Sequence, residues 1–394
     1  MKLLLAHNRY RYAGGEDEVF RREGELLRSA GHEVLEYTRH NEEIVEDGTL
    51  SKAKLGVQTL WAWDSRRELR AILRRERPHV VHFHNTFPLI SPAAYYACQE
   101  AGIPVVQSLH NARFMCPGAI FYREGRVCQD CLGRAVSWPG VVHSCYRNSP
   151  LRTAAVAAML TLHRILGTWQ EAVDAYIVFT EFYRRKFIAA GLPPEKIFVK
   201  PHFLFDDPGV KQEQSDYVLY VGRLAPEKGV HTLLQAWKLQ GNPPPLRIVG
   251  DGPARRALEA RKEQACLSSV HFEGSLPPQH LGSIMKRAAF LIFPSECYEA
   301  FGLTIVEAFA CGVPVLASGL ETMTEIVEDG KTGLHFTPGD AQDLAAKVEW
   351  AWAHPREMAA MGNLARAEYQ AKYTAGQNYQ LLMKIYNQAQ RARA

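Results

Sequence analysis

Glu299 and Glu307 flank Phe301-Gly302-Leu303-Thr304, where a loop turns into a helical pattern that continues through Ala310. Carboxylates on either side of a helix start can accept hydrogen bonds from sugar hydroxyls, while the peptide N–H groups around Gly302 to Thr304 can hold phosphate oxygens. A ligand presenting sugar, diphosphate and ribose in that order would match the run. A helix-capping carboxylate explains one of the two glutamates more easily than both. Upstream, Gly222-Arg223-Leu224-Ala225-Pro226-Glu227-Lys228-Gly229 puts a guanidinium and an ammonium on one short loop. Arg offers phosphate a bidentate fork and Lys a mobile point charge, so the pair suits a diphosphate; two ordinary surface charges is the competing reading. Val249-Gly250-Asp251-Gly252-Pro253 adds a glycine turn that lets backbone approach a ligand closely, a signal that gains weight only beside the other two.

Such loops need rigid elements behind them. Lys2 to His7 reads as a buried strand, and Gly14-Gly15 turns it into a helical pattern from Glu16 to Ala30. Strand-like runs follow at His32 to Tyr37, Val80 to Phe83, Pro104 to Leu109 and Ala175 to Phe179, with helical stretches between them. After the turn-rich linker His202 to Ser215 a second series begins: Tyr217 to Val221, Leu246 to Val249, Val270 to Phe272, Phe290 to Phe293, Pro314 to Ala317 and Gly333 to Phe336. Alternating strands and helices predict parallel sheets covered on both faces, hence two doubly wound α/β domains, with ligands at the carboxyl ends of the strands. The predicted boundaries are 1–205, 206–375 and a polar amphipathic helix over 376–394 that packs back on the first domain.

Bulk properties bound the function. The 394 residues exceed one small module, and 47% apolar with 22% charged is ordinary globular usage. No apolar run approaches the ~18–20 residues of a spanning helix, and the apolar start is too short for a secretion signal, so a cytoplasmic location is expected. The net charge of +4 sits in the first half, the second being slightly acidic. Arg66, Arg67, Arg70, Arg74, Arg75 and Arg77 cluster on a predicted helix that could face anionic lipid or phosphate, with a solvated face as the competing reading; the inner face of a membrane is thus a further candidate location. The pI of 8.5 and the lack of a recognition motif argue against a nucleic-acid partner.

The Glu-x7-Glu run, the Gly-Arg-Leu-x-x-Glu-Lys-Gly loop, the Gly-Asp-Gly-Pro turn and Gly14-Gly15 together resemble the retaining glycosyltransferases of family 4. The resemblance implies the GT-B fold, two Rossmann-like domains facing across a cleft. It implies that Arg223 and Lys228 hold the donor diphosphate, that Glu307 binds the ribose hydroxyls, and that Glu299 meets the transferred hexose. By the same resemblance, Gly14 and Gly15 let the first-domain loop close over the phosphates. Gly222, Gly250, Asp251, Gly252, Phe301, Gly302, Leu303 and Thr304 complete the donor site, and His110, within Leu109-His110-Asn111, contacts the donor sugar near the reacting centre. The expected partners are a UDP-, GDP- or ADP-linked sugar and a glycan or lipid-linked acceptor in polysaccharide or glycolipid biosynthesis. No Asp-x-Asp occurs, so fixed cations and a helix dipole would stabilise the leaving group, and no cofactor is required for catalysis. One departure is the interdomain stretch, where relatives often carry Asn-Gly and this chain reads Lys200-Pro201-His202; His82 and His84 are expected as core or loop residues.

Cys116, Cys128, Cys131 and Cys145 form a second constellation within an expected insertion over 113–147. Cys128-Gln129-Asp130-Cys131 has knuckle spacing, so a structural zinc is one reading, with His143 as a substitute ligand; reduced thiols and, last, disulfides are the others. Two rival functions remain open at this point. A GT-B nucleotide-sugar epimerase or hydrolase would share the donor features, and a zinc-containing nucleic-acid-binding protein would use the cysteines and the basic first half.

Overall fold

The structure is a computed structural model that describes residues 1–11, 14–44, 48–210 and 215–393. The chain divides into two compact units. One comprises Met1–Phe121, Gln129–His202 and the chain from Asn378 on; the other comprises Tyr122–Cys128 and Phe203–Gln377.

The first unit is built on a parallel sheet of β1 (Lys2–Arg9), β2 (Glu33–His40), β3 (Val80–Asn85) and β4 (Val105–Ser108). A two-stranded hairpin of β5 (Tyr122–Arg123) and β6 (Arg126–Val127) interrupts the series and clusters with the second unit. β7 (Ala175–Val178) and β8 (Ile197–Val199) then complete the first sheet, whose order is β2-β1-β3-β4-β7-β8. Leu3, Leu4, Leu5, Val80, Val81, Phe83, Val105 and Val106 are all buried, as a sheet covered on both faces requires. The helix Gly15–Ser29 follows β1 directly. The helix Ala375–Arg393 closes the unit, with Tyr379 hydroxyl 2.8 Å from His32 Nε2 and Tyr386 hydroxyl 2.8 Å from His82 Nδ1.

The second unit holds β9 (Tyr217–Val221), β10 (Leu246–Val249), β11 (Val270–Gly274), β12 (Ala288–Phe293), β13 (Val315–Ser318) and β14 (Gly333–Phe336), in the parallel order β11-β10-β9-β12-β13-β14. Val218, Leu246, Ile248, Phe290 and Trp237 form its core. Local sequence sets the helix ends: Asp340 accepts from the Gln342 and Asp343 N–H groups to start Ala341–Ala353. In both sheets the chain winds outward in one direction and then in the other, reversing between β1 and β3 and between β9 and β12.

Three features depart from the expectation. The edge strand β8 is only three residues long and the β5–β6 pair only two each, too short for a periodic signal. Of the expected linker, residues 211–214 lie outside the described residues; Gly209 turns on Asp207, whose carboxylate also pairs with Arg366 at 2.5 Å. The arginine-rich helix, Trp63–Glu76, is partly neutralised, since Arg66 and Arg70 both bind Glu100, and Arg77 lies beyond its end.

Candidate active site

In the second unit the expected site residues stand on the loops leaving β9, β10 and β12. β9 and β12 are the strands between which the winding reverses, the place where open α/β sheets take ligands. The β9 loop is stitched to both neighbours. Leu224 N–H donates to Asp251 O and Ala254 N–H to Leu224 O, each at 2.9 Å, while Glu296 N–H donates to Glu227 O at 2.9 Å. Two glycines make this proximity possible. Gly250 has φ +139°, and a β-carbon there would run into the Gly222 carbonyl; Gly229 has φ +68°, and a β-carbon there would run into the Pro294 carbonyl.

On this platform Lys228 Nζ donates to Glu299 Oε1 at 2.6 Å, and Ser295 Oγ donates to the same oxygen. Burial pulls the Lys228 pKa down, but the Glu299 carboxylate beside it wins and leaves the value raised, so the ammonium stays charged. Arg223 has a side chain 61% exposed, with its guanidinium held by the buried Glu227. Gly302 starts the helix Leu303–Ala310 without a side-chain cap, which leaves its first N–H groups open to an acceptor. Leu303, Thr304 and Glu307 are half-buried on this helix, and Phe301 is buried against Tyr373, with ring centroids 5.9 Å apart. Asp251 is exposed and accepts from the Gly252 N–H at 2.7 Å. Glu227 lies inside the Gly-Arg-Leu-x-x-Glu-Lys-Gly loop and Ser295 and Glu296 just before Glu299, but no role for any of the three was legible from residue spacing. Glu296 is buried and binds Thr232 Oγ1 at 2.6 Å and His231 Nε2 at 3.3 Å. Cys297 is a buried thiol 3.9 Å from Glu299 Oε1, its pKa pushed up by burial.

In the first unit, the Gly15–Ser29 helix and the loop after β4 meet. Gly14 N–H donates to Asp17 Oδ2 at 2.8 Å, Asp17 Oδ1 lies 3.0 Å from His7 Nε2, and Asn111 Nδ2 donates to Glu16 Oε1 at 2.7 Å. Burial raises the Glu16 pKa, against the opposing hydrogen bonds from Asn111 and Tyr10. His110 is buried, 3.1 Å from His84 Nδ1 through its Nε2, and stacked on His202 with centroids 5.8 Å apart. A cavity of about 40 Å³ lies beside it, lined by His84, Asn85, Gln107, Asn111 and Arg113 among others. His84 therefore does more than fill the core: it is the direct partner of His110.

Beneath this pair lies a network the sequence did not announce. Glu23 Oε1 is 3.3 Å from Lys200 Nζ, and Glu23 Oε2 is 3.7 Å from His84 Nε2, all three side chains being buried. His82 engages Tyr386 hydroxyl at 2.8 Å and Ser108 Oγ at 2.9 Å. Burial, with like charge from neighbouring groups, lowers the pKa values of His84, His110 and His202 well below the usual imidazole range and that of His82 to about 3. Among the described residues Glu23, His82 and His84 have the mutual spacing of metal ligands. Lys200 lies beside Glu23 and both His82 nitrogens are already bonded, while Glu23 Oε1 and His84 Nε2 have no hydrogen-bond partner among the described residues, so Glu23 and His84 are held by charge and packing.

Among the described residues no cysteine is in a disulfide. Cys116 and Cys145 flank Gly118, Cys131 Sγ lies against Gly140, and the Cys145 N–H donates to Gly140 O at 3.0 Å. Among the described residues no three of their sulfurs come within 4.8 Å of one another, so this conformation does not draw them to a shared ligand position.

Comparison with known proteins adds the family context. Residues 14–202 match the family described as Glycosyl transferase 4-like domain, and residues 204–368 match Glycosyl transferases group 1. The D-rhamnosyltransferase WbpZ of Pseudomonas aeruginosa is 34% identical over 161 residues, 40% of this chain and 42% of that protein, so the match spans less than half of its length. The alpha-D-kanosaminyltransferase of Streptomyces kanamyceticus is 26% identical over 84% of this chain and 81% of its own. Among solved structures, HepE of Anabaena in complex with UDP has the same fold, with a TM-score of 0.69 at 18% identity, covering 98% of this chain and 99% of that one. These likenesses identify the fold of the two parallel-sheet units as GT-B.

Proposed function

The chain belongs to the group 1 glycosyltransferases, with a family 4-like first domain, and from that membership we propose a retaining, metal-independent hexosyltransferase. It moves a hexosyl group from a nucleotide-diphosphate sugar to a hydroxyl of a glycan or lipid-linked acceptor, in polysaccharide or glycolipid biosynthesis. The observation that carries this reading is the Lys228–Glu299 contact of 2.6 Å at the strand ends where the winding reverses, next to the uncapped start of the Leu303–Ala310 helix. A cation, a carboxylate and open N–H groups on adjoining loops are what a diphosphate joined to a hexose requires.

In this mechanism Arg223 and Lys228 take up the charge that develops on the departing diphosphate, and the helix start adds its partial positive charge. Glu299 orients the hexose hydroxyls, and Glu307 holds the ribose. Gly14, Gly15 and His110 serve the same donor from the first unit. The bond from the anomeric carbon to the diphosphate oxygen breaks, the acceptor oxygen bonds that carbon from the same face, and the acceptor proton passes to the leaving oxygen. Fixed cations do here what a divalent ion does in sites with paired aspartates. HepE holds UDP, which makes UDP-sugars the first donors to try, ahead of GDP- and ADP-sugars.

The test is turnover of each sugar nucleotide with a lipid-linked acceptor in the presence of a chelator, with NMR of the product. A glycoside with the donor's anomeric configuration is expected. An inverted glycoside overturns retention, loss of turnover with chelator overturns metal independence, and free sugar or an epimer without glycoside overturns transfer.

A further inference from the structure

Three buried side chains of the first unit form a line that ends at His110. Lys200 Nζ lies 3.3 Å from Glu23 Oε1, Glu23 Oε2 lies 3.7 Å from His84 Nε2, and His84 Nδ1 lies 3.1 Å from His110 Nε2. Lys200 is fixed from its other side, donating to Asn378 Oδ1 at 3.1 Å, while Asn378 Nδ2 donates to Pro201 O at 2.7 Å. The neighbouring ring of His82 is engaged elsewhere, with Nδ1 on the Tyr386 hydroxyl and Nε2 on Ser108 Oγ, so neither nitrogen is left for His84.

This line decides where the protons sit. Burial raises the Glu23 pKa, and the Lys200 ammonium beside it opposes the rise and favours the carboxylate. At 3.7 Å the carboxylate and the His84 ring are too far apart for a hydrogen bond, but their electrostatics still have a direction. An imidazole nitrogen facing a carboxylate presents its N–H, because a lone pair there would set negative against negative. His84 and His110 are held neutral by burial, and a neutral imidazole has one N–H and one lone pair. With the proton of His84 on Nε2, its Nδ1 accepts, and His110 Nε2 is the donor across the 3.1 Å gap. His110 Nδ1 then keeps a bare lone pair. Among the described residues no hydrogen bond takes it up, and the cavity lined by His84, His110 and Asn111 lies beside the ring.

We infer that Glu23 and His84 are positioning residues that fix His110 as its Nε2–H tautomer, so that His110 Nδ1 accepts a hydrogen bond from a hydroxyl of the transferred hexose. The hexose as ligand rests on the transfer proposed above; the tautomer does not. A bare nitrogen accepts from a hydroxyl and has no proton to offer a carboxylate, so the site selects a hexose that brings a hydroxyl to Nδ1 over a hexuronate that brings a carboxylate there. A ring divided between two tautomers would present that lone pair for only part of the time, and the rate would fall by the missing fraction. Lys200 completes the arrangement, since an unpaired buried carboxylate would take up a proton and lose its hold on His84.

Nitrogen NMR of the full chain with isotopically labelled histidine reads the tautomer without any ligand. The His110 signals, identified by their loss in His110→Gln, should show a proton on Nε2 and none on Nδ1 at neutral pH. A proton on Nδ1, or a mixture of both tautomers, in the wild-type chain overturns the inference. His84→Phe and the double variant Glu23→Leu/Lys200→Met, which removes both charges together and leaves neither unpaired, should each give His110 as a mixture of tautomers. Both should lower kcat with a sugar nucleotide roughly two- to tenfold, the value of one hydrogen bond, and leave UDP affinity unchanged. A folded variant of either kind that keeps the single Nε2–H form overturns the positioning role of the residue it lacks. Absence of hexosyl transfer by the wild-type chain overturns the hexose as the ligand of Nδ1, whatever the ring nitrogens show.

Discussion

His84 Nδ1 and His110 Nε2 lie 3.1 Å apart, both rings buried and both with pKa values driven well below the usual range, chiefly by burial. Two neutral imidazoles at this distance share one proton between them, so the protonated nitrogen of one ring dictates the tautomer of the other. Replacing His84 with Phe keeps a ring in the core and removes that constraint. We expect kcat to fall by the value of one hydrogen bond, about 0.5–1.5 kcal/mol or roughly two- to tenfold, with nucleotide affinity unchanged. Steady-state kinetics paired with calorimetric nucleotide titration checks this, and a loss confined to nucleotide affinity would place His110 away from the reacting centre.

The same imidazoles predict an acid limit to stability. His82, His84, His110 and His202 have folded pKa values below the unfolded ~6.5, so the unfolded chain binds more protons once the pH drops under that value. Their stabilising effect is complete above about pH 6.5 and declines as the pH falls toward the folded values, by up to ~1.4 kcal/mol per pH unit for each ring. Urea midpoints measured from about pH 8 down to about pH 5.5 should therefore fall on the acid side. A flat profile would mean that these rings are not held neutral.

Lys228→Ala and Arg223→Ala should weaken nucleotide-diphosphate binding by about 1.5–3 kcal/mol each, roughly ten- to a hundredfold. Each change also leaves a carboxylate without its cation, the buried Glu227 for Arg223→Ala and the half-buried Glu299 for Lys228→Ala, so both should lower the melting temperature of the unliganded protein. Glu307→Ala should weaken nucleotide binding as strongly as Arg223→Ala. Calorimetric titration with UDP, GDP and ADP tests all three variants, and undiminished affinity in any of them would remove that residue from the donor site.

Gly250→Ala should be more damaging than its size suggests. A methyl group at φ +139° would meet the Gly222 carbonyl and pry the β10 loop from the β9 loop, for a loss of about 1–3 kcal/mol. Thermal melting in the absence of ligand should register the loss, and a Tm equal to wild type would show that the two loops can part without penalty.

Much of this architecture could be read from residue patterns. Leu3 to Leu5, Val80 to Phe83 and Phe290 to Phe293 are continuous apolar runs because both faces of each sheet are covered, and such runs stand out without any tertiary knowledge. The charged loop Gly222 to Gly229 was legible for a similar reason: its chemistry is contiguous. What stayed hidden depends on distant partners. Glu23 lies on an amphipathic helix among other acidic residues, and only the fold shows that Lys200, 177 positions later, sits beside it. His84 looked like a core residue because periodicity reports burial and says nothing of which polar atom a buried ring meets. Cys116, Cys128, Cys131 and Cys145 have spacing that suggests a shared ligand, and spacing along a chain does not by itself fix where sulfurs point.

The return of residues 378–393 to the first unit governs how the molecule can be dissected. A fragment ending at His202 would lack the Tyr386 hydroxyl that His82 binds, the Asn378 amide oxygen that Lys200 binds, and the apolar cover of Leu382 and Ile385. Chimeras that exchange donor-binding halves between relatives must accordingly carry two crossovers, one near Phe203 and one near Gln377, so that the final helix stays with the scaffold that shaped its sequence.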